Sequence, residues 1–319
     1  MPQVTREIKR RLRSIKNTGQ ITRAMEMVAT AKMRKAVANV LATRTYAGLA
    51  WDMLKELVVR TDRNKHPLLT HRDKIKRVGM VIITSNRGLC GGFNHQISNR
   101  ANLYITRHRA QDVEVEADLV AVGKRGRDIM WRHGHTVIAE FTKADITTRM
   151  DEVTPIAKLV IDDYLVGKYD KVVLAYTDFI SAVTQKPRIK QLLPIEDEEM
   201  DVDLGAARSP IVPRHSPLDN KLGTRNEELG TYSYEYLFEP TPDEVLEDLL
   251  PRLIEVQLYQ ALLESDASEH SARMLAMHNA SDAAQDMISG LTLTYNQARQ
   301  SSITAELADI TGGRVAVEA

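Results

Sequence analysis

A chain of 319 residues, 43% hydrophobic and 27% charged, is long enough for one large domain or two modest ones. Its 43 basic residues balance 43 acidic ones, so no net attraction draws it to nucleic acid or anionic lipid. One cysteine, Cys90, excludes an intramolecular disulfide framework or a multi-cysteine metal site.

The start, Met1-Pro2-Gln3-Val4-Thr5-Arg6-Glu7, lacks the apolar stretch of a secretory signal and enters a helical period almost at once. No apolar run reaches the roughly 18 residues that a membrane span requires. A cytoplasmic, bacterial-type protein without direct membrane insertion is the expectation.

From about Glu7 to Arg60 there is no proline, and the only glycines are Gly19 and Gly48. Steps of four and three residues pick out Ile8, Leu12, Ile15, Gly19, Thr22, Glu26, Ala29, Met33, Ala36, Val40, Thr43, Ala47, Ala50, Leu54 and Leu57. Most are apolar or small, as the seam of a coiled coil requires. Glu26 breaks the register, and Met25 beside it is expected to take over its contact. At ~1.5 Å per residue the helix spans on the order of 80 Å. Aromatics make up only 5% of the chain, which also suits a thin seam better than a thick core.

The middle, residues 75–240, reads as α/β. Val78–Thr84, Asp118–Gly123 and Lys171–Tyr176 are apolar runs of buried-strand type. Helices are expected from Phe93, around Arg127 to His133, and through Ile156 to Leu165, giving a mostly parallel sheet. Residues 196–230 open with Glu196-Asp197-Glu198-Glu199 and carry Pro210, Pro213 and Pro217, the pattern of a mobile insertion. Thr231–Phe238 alternates aromatic and polar residues like a returning strand.

Ser85–Gly92 follows a strand and is glycine-rich, but it lacks both the phosphate-loop lysine pattern and the dinucleotide glycine spacing. A tight packing turn is the expected use. Cys90 reads as a packing thiol rather than a nucleophile. The basic stretch Lys9-Arg10-Arg11-Leu12-Arg13 reads as a solvated or subunit-facing helix surface, not a nucleic-acid patch. His133-Gly134-His135 reads as a helix end, because no carboxylate stands at metal-ligand spacing.

Thr241-Pro242-Asp243-Glu244 begins the last element, with a cap residue, a first-turn proline and a glutamate completing a capping box. The seam then runs Leu246, Leu249, Leu253, Val256, Gln260, Leu263, Ala267, His270, Met274, Met277, Ser281, Ala284, Ile288, Leu291, Tyr295, Ala298, Ser302 and Ala305. Pro251 is expected to kink the helix near its start, and the helical signal persists to about Ile310. Residues 1–60 hold 13 Lys/Arg against 4 Asp/Glu, whereas residues 241–319 hold 4 against 13. Opposite charge selects the partner while the seam supplies adhesion. The expected architecture is therefore one antiparallel coiled coil (1–60 with 241–319) carrying an inserted Rossmann-like α/β domain at 75–240.

Three segments carry a family resemblance. Ile15–Ala29 with Lys32-Met33-Arg34, the loop Ser85–Gly92, and Tyr295–Leu307 together resemble the gamma subunits of rotary F-type ATP synthases, in the right order and over nearly the whole chain. The resemblance implies a central rotor shaft with no active site or cofactor of its own. Its implied partners are the alpha and beta subunits of the catalytic hexamer, the epsilon subunit and the membrane c-ring. Its implied place is the cytoplasmic face of the bacterial inner membrane.

By the same resemblance, Met25 is a rotor–stator contact. Arg299 and Gln300 form a polar catch against the beta subunit, with Thr304 and Glu306 supporting it. Val315, Ala316 and Val317 form an apolar bearing at the tip. Gly312-Gly313-Arg314, where the family continues Gly-Ala, is expected to loosen the last turn. The insertion falls where photosynthetic relatives carry extra sequence, and having no cysteine it cannot form their chloroplast thiol switch. Its implied role is to limit wasteful ATP hydrolysis.

Two other readings stay open from sequence alone. A non-rotating coiled-coil scaffold would not co-purify with a hexameric ATPase, and a nucleotide-binding enzyme would bind or hydrolyse ATP as an isolated chain.

Overall fold

The computed structural model describes residues 3–60, 66–70, 72, 75–111, 115–147, 149–195 and 241–318. The expected insertion at 196–230 and the expected strand Thr231–Phe238 lie outside these residues. The chain divides into two units, Met1–Ala31 with Leu89–Gly91 and His270–Ala319, and Lys32–Gly88 with Gly92–Glu269.

The second unit contains a five-stranded sheet: β1 (Arg77–Ile83), β2 (Glu116–Val122), β3 (Thr136–Phe141), β4 (Lys171–Phe179) and β5 (Gln185–Leu193), in the order β3-β2-β1-β4-β5. The β1–β2, β1–β4 and β2–β3 pairs are parallel, and β5 closes the edge antiparallel to β4. Helices α2 (Phe93–Gln111), α3 (Lys124–Arg132) and α4 (Thr154–Leu165) connect the strands. Side chains alternate across a strand, so β1 sends Met80 and Ile82 to one face and Val81 and Ile83 to the other. Met80 and Ile82 pack with Ile97 and Ala101 of α2 and Met130 of α3. Val81 and Ile83 pack with Ile156 and Val160 of α4 and with Leu250, Leu253, Ile254 and Leu258. Those last four belong to the long C-terminal helix α5 (Pro242–Glu318). Coverage on both faces explains why β1, β2 and β4 are apolar almost throughout.

β3 and β5 had no counterpart in the sequence reading. Both are edge strands. β3 alternates exposed and half-buried residues, and β5 contains Pro187 and four polar or charged residues in its first six positions. An edge needs no continuous apolar run and tolerates proline. The Arg188–Asp178 ion pair of 2.9 Å helps hold β5 to β4.

The helix start at Thr241 is as the sequence reading has it, its hydroxyl accepting the Glu244 N–H at 3.3 Å. α5 is assigned without a break across Pro251. It also runs on to Glu318, through Gly312 and Gly313, rather than ending near Ile310 with a loosened last turn. Once a long helix exists, each added residue gains a hydrogen bond without a new nucleation cost, which offsets the ~1 kcal/mol of a helical glycine.

Before β1, the Asp170 carboxylate accepts the N–H groups of Lys76 at 2.8 Å and Arg77 at 3.0 Å and the Arg72 guanidinium at 3.0 Å. Burial raises its pKa, but these donors outweigh burial and hold it below the usual carboxylate value. Its contribution is complete above the ordinary carboxylate pKa of ~3.9 and is lost as pH falls through the lowered folded value. Asp170→Ala should cost about 1.5–3 kcal/mol in a urea titration at neutral pH, and the gap from the parent should shrink in acid.

Candidate rotor surface

The first unit pairs residues near both ends of the chain. The N-terminal helix α1 (Gln3–Arg60) meets α5 in a ladder in which one number rises as the other falls. A Cβ built on Gly19 would lie 3.3 Å from the Cβ of Ala284. Thr22 and Ser281 share a hydroxyl hydrogen bond of 2.9 Å. The Glu26 carboxylate lies 3.0 Å from His278 Nδ1. Small residues let the backbones approach closely, and the hydroxyl pair satisfies what the approach buries.

Burial agrees with the seam read from the sequence over part of each helix, although Ser271, off it, is buried and Ala305, on it, is exposed. Within 270–311, Met277 and Ala284 are buried and Ile288, Leu291, Tyr295, Ala298 and Ser302 half-buried, while most positions between them are exposed. On α1, Thr5, Thr22 and Ala29 are buried and Ile8, Leu12, Ile15 and Gly19 half-buried. Glu26 is a correction. It does not break the register, because His278, 3.5 Å from Asp282 as well, answers it across the seam, while Met25 beside it is half-buried too. An acidic residue in an apolar period reads as a fault until its partner, 252 residues away, is in view.

The outer faces are uneven in charge and apolar content. Arg6, Lys9, Arg10, Arg11, Arg13, Lys16 and Arg23 are exposed on α1 beside Ile21, Met27 and Val28. Asp282, Asp286 and Glu306 are exposed on α5 beside Met287, Leu293, Ile303, Leu307 and Ile310. Apolar side chains left open at this density mark a surface that meets something.

Met25 is half-buried on α1, and Arg299, Gln300, Thr304 and Glu306 are exposed on α5. They do not form one pocket. Met25 neighbours the Glu26–His278 rung, whereas Arg299 lies 21 residues further along α5 than His278, on the order of 30 Å of helix. Thr304 caps back onto the Gln300 carbonyl at 3.0 Å. Arg299 and Glu306 make no ion pair among the described residues. The side chains of Val315, Ala316 and Val317 lie outside those described. Ser85 behaves as a packing turn, its N–H donating to Asn94 Oδ1 at 2.9 Å, and Cys90 is buried. No helix of the described residues is long and apolar enough to cross a membrane.

The chain is similar to proteins of a known family. A sequence model described as ATP synthase matches residues 4–317. The ATP synthase gamma chain of Roseiflexus castenholzii is 42% identical over 314 residues, covering 98% of each chain. That of Heliobacterium modesticaldum is 42% identical over 312 residues, covering 98% of each. Among solved structures, the Euglena gracilis mitochondrial ATP synthase (OSCP/F1/c-ring, rotational state 3) contains a chain similar at a TM-score of 0.61 and 21% identity. The match covers 98% of this chain and 94% of that one. A chain of the Tetrahymena thermophila mitochondrial ATP synthase central stalk/c-ring is similar at a TM-score of 0.58 and 24% identity, over 82% and 99%.

Proposed function

The chain belongs to the ATP synthase gamma-chain family, and on that premise we propose that α1 and α5 form one antiparallel coiled coil serving as its axle. The chain is the central rotor shaft of a proton-translocating ATP synthase and a non-catalytic part of that membrane-associated complex. It couples rotation of the membrane ring to conformational change at the catalytic subunits.

The observation that carries the axle is the ladder Gly19–Ala284, Thr22–Ser281 and Glu26–His278. A shaft must be stiff along the seam and different on its faces, because only unequal contact biases bistable partners in turn. A basic α1 face beside an acidic α5 face supplies the inequality. The sheet order β3-β2-β1-β4-β5 supports a Rossmann-like domain inserted between the helices.

The partners are the alpha and beta subunits around the helices, with the epsilon subunit and the c-ring toward the α/β domain. The complex lies on the cytoplasmic face of a bacterial inner membrane. Met25 faces the stator, and Arg299 and Gln300 make the polar catch on beta, supported by Thr304 and Glu306. Met25→Lys places a cation where the stator can pair with it. A charge-assisted contact of about 1.5–3 kcal/mol would slow release from one rotary position about tenfold or more. Proton pumping per ATP hydrolysed should fall in membrane vesicles. Unchanged pumping, or a purified complex lacking a catalytic hexamer, would remove this assignment.

A further inference from the structure

The loop that follows β3 contains the most thoroughly buried charge cluster among the described residues. Lys143 has a side chain only 2% exposed, and its ammonium lies 2.6 Å from Asp266 Oδ1 and 2.6 Å from Glu269 Oε2 on α5. Asp266 is fully buried, and its second oxygen accepts the Thr147 N–H at 2.7 Å. The same short loop reaches two further elements. The Lys143 carbonyl accepts Asn86 Nδ2 at 2.5 Å, from the loop after β1. The Thr147 carbonyl accepts Asn39 Nδ2 at 3.3 Å, and Asp145 pairs with Lys32 at 2.8 Å, both from α1. Residues 143–147 are thus tied at once to the sheet, to α1 and to α5, within the second unit.

Burial would drive the Lys143 ammonium toward its neutral form, but Asp266 and Glu269 outweigh that and hold its pKa well above the usual lysine value. The Lys143 ammonium therefore stays charged across neutral pH. Such a cluster is a poor way to gain stability, since well-packed apolar residues of similar volume often do as well or better. What it offers instead is direction. Apolar contact is non-directional and lets surfaces slide, whereas short charge-assisted hydrogen bonds fix distance and angle. The Lys143–Glu269 and Thr147–Asp266 hydrogen bonds, with the Lys143–Asp266 ion pair, hold the loop to α5 at two residues.

We propose that the Lys143–Asp266–Glu269 cluster is the torque-bearing joint of the shaft, passing twist from the sheet into the adjoining segments of α1 and α5. The proposal rests on the rotor reading above and goes beyond it by naming where load crosses between elements. Lys143 acts as a positioning residue, touching no nucleotide and no proton path.

The test uses the assembled complex, immobilised by its catalytic hexamer, with a bead on a Val166→Cys site; Val166 is 86% exposed. The variant Lys143→Met/Asp266→Asn/Glu269→Gln keeps side-chain volume and removes all three charges. With the hexamer held in one nucleotide state, its bead's angular variance should rise about twofold or more over the parent. Unloaded ATP hydrolysis should stay within about twofold, while ATP made per proton against a high gradient falls. Lys143→Arg, which keeps a positive charge between the two carboxylates, should leave the variance nearer the parent's than the triple variant does.

Glu269→Gln alone leaves the Lys143–Asp266 pair and should give an intermediate variance, so failure of the triple variant to assemble still leaves a reading. Parental variance in the assembled triple variant, or in Glu269→Gln when the triple does not assemble, overturns the joint. A parental bead that never turns with ATP overturns the rotor reading itself.

Discussion

Gly123→Ala is expected to cost more than about 4 kcal/mol and to leave little folded chain at 37 °C, a loss at the far end of what single substitutions do. Gly123 follows β2 and precedes α3 with φ 101° and ψ 137°, a conformation that residues with a Cβ rarely adopt. Its N–H donates to the Phe141 carbonyl at 2.9 Å, so the backbone cannot rotate away without releasing β3. A Cβ there would lie 2.3 Å from the Thr84 carbonyl oxygen and 2.8 Å from its carbon. Those are backbone atoms, and Thr84 is itself fixed by its N–H to the Val122 carbonyl at 2.8 Å.

Gly134 separates strain from collision. It too has a positive φ, 82°, but a Cβ there would meet nothing within 4 Å. Gly134→Ala should cost only the left-handed penalty of ~1–2 kcal/mol. Equal losses for the two variants in chemical denaturation would show that the close approach of Thr84 contributes nothing.

The second large effect is at Lys143. Lys143→Met should lower stability by about 3–5 kcal/mol, because Asp266 and Glu269 then share a buried site with no cation between them. Adding Asp266→Asn and Glu269→Gln should recover most of that loss, since neutral amides need only hydrogen bonds there. The sign of the pH dependence is fixed by the raised folded pKa of Lys143. Its contribution is complete below the unfolded lysine value of ~10.4 and fades only as pH rises through the folded value. The gap between parent and Lys143→Met should therefore stay level across neutral pH and narrow only in strong alkali. Guanidinium titrations at several pH values measure it. A gap that closes near pH 8 would mean that the ammonium is not held by the two carboxylates.

What the sequence disclosed follows from how each element is buried. β1, β2 and β4 lie inside the sheet with helices on both faces, so their apolar runs stand out. β3 and β5 satisfy backbone on one side only and spend few apolar residues, so Thr136–Phe141 and Gln185–Leu193 look like loop until their partners are known. The terminal helices were legible as helices because their apolar period repeats over many turns with few glycines or prolines to break it. Glu26 was misread for the opposite reason: a local period cannot see that His278 waits across the seam.

Lys143 left no signal at all. Its two carboxylates are more than 120 residues away and belong to a polar stretch, Glu264 to Ser271, that is buried all round the helix. Seven of those eight residues carry polar or charged side chains, and a helical pattern alone would place such a stretch in water. Burial makes it a joint rather than a surface. For the proposed rotor contacts the family motifs supplied the residues, and the structure shows only that Arg299, Gln300, Thr304 and Glu306 are exposed on α5.

The most direct measurement of the central claim is rotation itself. A bead on Val166→Cys, in the complex fixed by its catalytic hexamer, leaves the buried Cys90 out of the labelling. With saturating ATP the bead should turn in one direction without reversing over many turns. A bead that only jitters about one angle while the same complexes hydrolyse ATP would mean that this chain is no axle.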